Sequence, residues 1–400
     1  MKPLVLTELR LHDFRNVAQA TFAPCSRLNV LYGENGQGKT NVLEAIYALC
    51  TTRSFRTSRL AELVRHGTEE GTAAVVRGTF LESGKPRDQS IALRKGVRVL
   101  RIDGARPSTL AEYAARTPVV VFSPQDVGLA MGSGSERRKL LDRVALYRAP
   151  VALADLDAYT RAMRERQRTL EIRGEDARDL DSWEELIVRY GLAVMTAREE
   201  ASAPLATAAE DAFARIGTPG LKLSIRYLAT APRDAASYAD ELRRLRSRDR
   251  RRGSASIGPQ RDDLEILLGD HAARAVASQG QHRAIVLALK TAELRVVGSS
   301  RDAQPILLLD DVSSELDRAR TAALFRFLEG ELGQIFLTTT RKEVVEEAGA
   351  FAGAIRGGFR LDVPIVAGRI GPVVGDSGAP RPIADEEHPA EPTDPPDDVR

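Results

Sequence analysis

A chain of 400 residues is long enough for a large α/β domain plus a second body, with a core that needs no covalent staples. Its two cysteines, Cys25 and Cys50, exclude a disulfide framework and a cysteine-rich metal cluster; no apolar run reaches membrane-span length, and the opening MKPLVLTELRLHDF lacks the uncharged stretch of a signal peptide. The formal charge of +2 is uneven: residues 361–400 hold nine Asp or Glu against three Arg, leaving about +8 on residues 1–360, a body suited to a polyanionic partner. These features predict a soluble, cytoplasmic protein with no membrane partner.

In chain order, LVLTELRL and RLNVLYG (27–33) have strand character, and the second runs directly into GENGQGKT. That stretch fits G-x-x-x-x-G-K-[ST] from Gly33 to Thr40, and TNVLEAIYALC continues with helical apolar spacing at Val42, Leu43, Ile46, Tyr47 and Leu49. Gly33, Gly36 and Gly38 would let backbone N–H groups curl around a phosphate, with Glu34, Asn35 and Gln37 completing the loop. Lys39 would reach the β- and γ-phosphates of ATP, and the Thr40 hydroxyl would ligate Mg²⁺. The plainer alternative is a glycine-rich turn with an exposed lysine. GTAAVVRGTF, QSIALRKG and VRVLRIDG have β character, with Asp103-Gly104 as a tight turn, and VVVFSP (119–124) is a buried strand stopped by Pro124.

From Ser135 the pattern changes to charged helices, too short and interrupted for a long coiled-coil arm. LKLSIRYL near Leu221 is again strand-like, the arginine-rich segment 243–252 is expected as a loop, and an α/β pattern resumes near Gly258. In ASQGQHRAIVLALKTAELRVV (277–297), Ser278 and Gly280 stand at a helix start, which makes either an anion site or an ordinary cap. PILLLDDVSSELD then carries an apolar strand, Ile306 to Leu309, into Asp310 and Asp311. Asp310 would hold Mg²⁺ through its water shell and Asp311 would polarise an attacking water; the alternative is a pair of helix-capping aspartates. Lys39 and Asp310 are 271 residues apart, so a whole lobe is inserted between two halves of one site. The second anion site then invites closure over another subunit's γ-phosphate. Residues 361–400, with eight prolines, read as a solvated acidic tail, or else as a partner-docking or autoinhibitory peptide.

Together, GENGQGKT, SQGQHR and LLLDDVSSELD resemble the ATP-binding-cassette head shared by chromosome-maintenance and repair ATPases. Without a hinge or long coiled coil, the chain is most similar to the RecF family of bacterial recombination mediators. LRLHDFRN, TTRSFRTSRLAELVRHG, VVVFSPQDVGLAMGSGSERRKLLD and GPQRDDLEI extend the resemblance, in order, over about residues 1–358. It implies an α/β, ABC-type P-loop ATPase head with an inserted helical second domain and no long coiled coil. Residues 1–130 would be the N-terminal half of the head, 131–255 the inserted domain, 256–360 the C-terminal half, and 361–400 a disordered acidic, proline-rich tail.

The resemblance also implies roles. Ser278, Gly280 and Gln281 would form the signature presented in trans to ATP on Lys39 and Thr40 of the partner. Asp310 would be the Walker B magnesium residue, Asp311 the catalytic carboxylate, and Ser313 to Asp317 a loop crossing the dimer interface. Gln125 lies near the magnesium-contacting glutamine of cassette ATPases. ATP would hold a homodimer closed on duplex DNA or on single-strand/double-strand junctions. Slow hydrolysis would release it during recombinational repair and replication fork maintenance, alongside RecR-like and RecO-like mediators and in functional link with RecA.

Asp311 replaces the glutamate of transporter heads, and Thr338, Thr339 and Thr340 stand where those carry a switch histidine, features that RecF-like proteins share. Gln260 stands where the family usually has histidine, leaving Arg261 and Asp262 either nucleotide-sensing or subdomain contacts. For DNA, the candidates are Arg243, Arg244, Arg246, Arg248, Arg250, Arg251 and Arg252, or Arg161, Arg164, Arg166 and Arg168, or Arg56 and Arg59, with a solvated face as the alternative for each run. Other readings are an SMC/Rad50-like structural head, an ABC transporter ATPase subunit, and a small-molecule phosphotransferase, in which the Ser278 signature would have no role.

Overall fold

The computed structural model describes residues 4–69, 71–94, 97–217, 220–311, 333–341 and 360–371, together with residues 325, 343, 345, 374 and 375. The first part builds β1 (Leu4–Phe14), β2 (Val17–Phe22), β3 (Leu28–Tyr32), α1 (Lys39–Thr51), β4 (Ala74–Glu82), β5 (Lys85–Arg94), β6 (Val97–Ile102), α2 (Leu110–Arg116) and β7 (Val119–Phe122). A mainly helical lobe follows, with α3 (Val127–Met131), α4 (Gly134–Arg148), α5 (Val151–Arg173), α6 (Leu180–Ile216), β8 (Leu223–Leu228), α7 (Ala235–Arg244) and α8 (Arg246–Arg252). The chain returns through β9 (Asp263–Leu268), β10 (His271–Ala272), α9 (Ala273–Val276), α10 (Gln279–Arg301), β11 (Ile306–Leu309), β12 (Ile335–Thr339), β13 (Arg360–Val366), β14 (Arg369–Ile370) and β15 (Val374–Gly375).

Parallel strands in the order β13-β3-β12-β11-β7 form the spine. Their short, continuous apolar runs suit strands covered on both faces. Strand alternation sorts the side chains: Leu31, Val121, Leu308 and Phe336 pack with α1 beneath the antiparallel sheet β2-β1-β4-β5-β6. Val30, Phe122, Leu309 and Leu337 instead face Leu287 and Leu294 of α10. Helices α1 and α10 therefore lie on opposite faces of one sheet.

Two expected boundaries change. Strand β8 pairs antiparallel with β9, so the division at 255 runs through a three-stranded sheet, β10-β9-β8, which gives the lone strand of the helical lobe its ladder partner. Residues 361–366, expected as the start of a solvated tail, instead belong to β13, which pairs in parallel with β3 and buries Leu361, Val363 and Ile365. Residues 372, 373 and 376–400 of the expected tail, and Ser313 to Asp317, lie outside the described residues. The arginine-rich segment is helical rather than a loop: α7 and α8 meet at Leu245, and Asp249 is fully buried beneath them. Arginine is a good helix former, and Gly253 ends α8 in the left-handed conformation. The longest helix, α6, has 37 residues and spans about 55 Å.

Candidate nucleotide site

The loop between β3 and α1 is shaped by close approaches. A Cβ on Gly33 would stand 2.4 Å from the Ile365 carbonyl oxygen of β13, and Gly38 enters α1 at φ 107° against the Asn16 side chain. Gln37 fastens the loop from two sides. Its carbonyl accepts from Gly368 N at 2.8 Å and from Asn16 Nδ2 at 3.3 Å, and its Oε1 accepts from Ala367 N at 2.6 Å. The turns between β1 and β2 and between β13 and β14 thus hold the phosphate loop jointly.

Lys39 is buried, and its Nζ donates to the carbonyls of Gly33 and Glu34 at 2.7 and 2.8 Å. Burial lowers its pKa, opposed by the charges of Asp311 and Asp310. Thr40 Oγ1 donates to Asp310 Oδ1 at 2.7 Å, and Thr338 Oγ1 donates to the same oxygen at 2.9 Å. The two motifs separated by 271 residues in sequence thus meet at the C-terminal edge of the sheet. Asp310 is only 6% exposed and makes no ion pair among the described residues; burial raises its pKa, opposed by the two hydroxyls and the Arg56 charge and reinforced by Asp311. Asp311 takes a left-handed backbone at φ 48° and donates its N–H to Thr338 Oγ1 at 2.9 Å. Thr338, which stands where a switch histidine is absent, therefore bridges both aspartates.

Behind the loop, Glu44 of α1 is fully buried and receives Arg15 through two 2.8 Å hydrogen bonds and Arg56 at 3.3 Å. Arg56 also donates to Asn41 Oδ1 at 2.8 Å. Both Arg56 and Arg59 are exposed, but Arg56 is tied to α1 beside the loop whereas Arg59 lies near Glu62.

Ser278 is the exposed N-cap of α10 and forms a capping box with Gln281: Ser278 N donates to Gln281 Oε1 at 2.7 Å, and Gln281 N donates to Ser278 Oγ at 3.3 Å. No hydrogen bond joins Ser278, Gly280 or Gln281 to residues 33–40 of the same chain among the described residues. Further along α10, fully buried Lys290 pairs with Glu293 and lies 3.7 Å from Asp126, while Arg143 of α4 reaches Glu293 at 2.6 Å. Gln125, next to Asp126 in the turn after β7, is exposed and makes no hydrogen bond to Thr40 or Asp310. The buried charges nevertheless connect its turn to α10.

The GPQRDD segment makes subdomain contacts. Asp262 is fully buried and accepts from Tyr227 and from Thr230 N at 2.9 Å. Arg198 donates to Pro259 O at 2.6 Å and to Asp142 at 2.7 Å, and Gln260 accepts from Tyr159. Arg261 donates to Ser254 Oγ at 2.9 Å, and among the described residues no hydrogen bond of this segment reaches the nucleotide loop.

The arginine runs divide sharply. Arg166 is 1% exposed and bonds Glu184 and Asp249 at 2.9 Å each, which removes it from any surface. Arg246 pairs with Glu184 and Asp181, Arg243 with Asp240 and Arg244 with Glu241. Arg161, Arg164, Arg168, Arg248, Arg250, Arg251 and Arg252 are exposed and make no ion pair among the described residues. Substituting Arg166→Met removes the ion-pair partner of buried Asp249 and leaves buried Glu184 to Arg246 alone, and is expected to destabilise the fold by about 3–5 kcal/mol in a urea titration. Exposed Arg168→Met should change stability by less than about 0.5 kcal/mol in the same urea titration.

Against known proteins, the model of the RecF/RecN/SMC N-terminal domain matches residues 5–357. A Myxococcus xanthus protein called DNA replication and repair protein RecF is 39% identical over 357 residues, covering 86% of this chain and 93% of that one. Its counterpart from Anaeromyxobacter sp. strain Fw109-5 is 40% identical over 356 residues, covering 86% and 94%. A solved structure of the recombination mediator RecF with ATP superposes with a TM-score of 0.79 at 28% identity, covering 93% of this chain and 99% of that one. An Smc head from Pyrococcus furiosus, at 15% identity and a TM-score of 0.52 over 93% and 96%, shares the fold. The head architecture, the phosphate loop meeting its distant aspartate, and relatedness along nearly the full length of these proteins agree: the chain belongs to the RecF family of ABC-type ATPase heads.

Proposed function

We propose that this protein is an ATP-gated clamp of recombinational DNA repair and replication fork maintenance. Two copies close head to head over ATP around duplex DNA or a single-strand/double-strand junction, and slow hydrolysis to ADP and phosphate releases them. Its output is placement of a RecA-type recombinase on gapped DNA, together with RecR-like and RecO-like mediators. The observation that supports the reading most is the split of the machinery: Thr40 and Asp310 meet at 2.7 Å, while Ser278 stands exposed on α10 without a bond to its own loop.

In this mechanism the loop amides of residues 33–40 hold the β-phosphate at the start of α1, whose positive end favours an anion. The Lys39 ammonium, which donates to two loop carbonyls, transfers those bonds to phosphate oxygens. Thr40 and Asp310 suit Mg²⁺: among the described residues a buried carboxylate that makes no ion pair stands beside a hydroxyl, and no three His, Cys, Asp or Glu side chains gather as a metal cluster. A hard cation held by few protein oxygens and by phosphates would match that donor set, and Mg²⁺ bound there would offset phosphate charge. Gln125 is the further candidate on the metal side. Asp311 orients and polarises the attacking water, while the Ser278 hydroxyl, Gly280 amide and Gln281 of the second copy grip the γ-phosphate.

Analytical ultracentrifugation of the protein with duplex DNA and with ATP, ADP or no nucleotide tests the reading. Dimers are expected with ATP alone. A sedimentation coefficient indifferent to nucleotide would sink the clamp.

A further inference from the structure

On the inserted lobe, α2, α5 and α6 enclose a cleft of about 410 Å³ that has no part in the nucleotide site. Its floor is apolar, with Leu110, Leu153, Leu186 and the rings of Trp183 and Tyr190. Trp183, Leu186 and Tyr190 recur along one face of α6 and stay partly exposed. Arg161 lines the cleft, and Arg164 and Arg168 continue its face of α5 over the next two turns. All three are exposed and make no ion pair among the described residues, and Arg189 lies 5.5 Å from the Tyr190 ring centre. Asp157, the acid of the lining, faces Arg98. The cleft is thus an aromatic floor with a cationic rim.

The sequence holds one segment of complementary pattern. In HPAEPTDPPDD, residues 388–398, prolines recur at Pro389, Pro392 and Pro395, and acids at Glu391, Asp394 and Asp397. The family match ends at residue 357, so this segment belongs to the chain and not to the shared head. A period of three is the repeat of polyproline II, which would align the prolines along one edge and the acids along another, about 9 Å apart within each row. Arg161 and Arg168 are separated along α5 by a rise of about 10 Å. Proline-rich segments in this conformation dock into aromatic-lined grooves.

We propose that residues 388–398 dock in the α2–α5–α6 cleft of their own chain, prolines against Trp183 and Tyr190 and acids against Arg161, Arg164 and Arg168. The docked segment covers a basic face that a polyanion would otherwise meet. The twelve residues 376–387 reach up to about 40 Å when extended. At the roughly millimolar effective concentration of a short tether, a segment that binds at about 100 μM in trans is docked about 90% of the time.

Trp183 is the single tryptophan of the sequence, so its fluorescence reports the cleft without a label. Truncation after Gly375 is expected to red-shift its emission and increase acrylamide quenching. The triple variant Pro389→Ala, Pro392→Ala, Pro395→Ala should do the same in the full-length chain, where no described residue is touched. A synthetic peptide of residues 386–398 should reverse the shift saturably in the truncated protein, and Arg161→Glu should weaken that binding at least tenfold. Emission and quenching unchanged by truncation would overturn the proposal, as would equal binding of a peptide with the same residues shuffled out of register. A change that appears only together with a lower sedimentation coefficient would assign the cleft to a second copy, and would overturn it too.

Discussion

Lys39→Met should lower ATP affinity about 100-fold, the effect of losing about 3 kcal/mol of charge-assisted hydrogen bonding to phosphate. Methionine preserves the buried stem, so the loop keeps its packing while Gly33 O and Glu34 O lose their donor. Hydrolysis and ATP-driven dimerisation should vanish together, because both depend on nucleotide held at this loop. Isothermal titration with ATP measures the first effect and sedimentation the second. Binding within threefold of the parent protein would mean that the ammonium grips only its own loop. Arginine is no conservative replacement here, since a planar fork cannot occupy the place of a compact ammonium.

Ser278→Arg should leave ATP binding by the monomer unchanged and abolish the ATP-dependent dimer, since Ser278 makes no bond to its own phosphate loop and loses only a helix cap of about 1 kcal/mol. The decisive form of the experiment is a mixture. A Lys39→Met chain still offers an intact signature, and a Ser278→Arg chain still offers an intact phosphate loop. Their heterodimer therefore contains one complete composite site and one with both halves damaged. Equimolar mixing should recover ATP hydrolysis that neither variant shows alone. An inert mixture of well-folded chains would refute completion of the site in trans.

The parts of the candidate site written in contiguous residues were legible in the sequence as motifs. GENGQGKT between a strand and a helix, and an apolar strand running into Asp310, carry their chemistry in local spacing, and the structure joins them through the Thr40–Asp310 hydrogen bond. Ser278 was legible as a helix start because a cap is a local device. Contacts made between distant segments were not. Nothing near Thr338 signals that its hydroxyl will touch both Asp310 and Asp311, and nothing near Gln37 signals the turn at Ala367 and Gly368. The arginine-rich segment 243–252 misled for a related reason: Asp249 inside it reads as one more surface charge until Arg166 is placed opposite. Averaging over residues 361–400 likewise hid the alternation of RLDVPIV, which makes β13 a core strand.

The neighbours of β3 have a consequence for synthesis. The strand that leads into the phosphate loop lies between β12 and β13, so neither of its edges finds a partner until residues 335–366 have left the ribosome. At bacterial elongation rates of about 5–20 residues per second, that interval is roughly 15–70 s. Throughout it, LNVLY is an apolar strand with two open edges, the kind of segment that pairs with the wrong chain. A nascent chain arrested before β12 should therefore depend on chaperones and be unable to retain ATP, whatever the quality of its loop sequence.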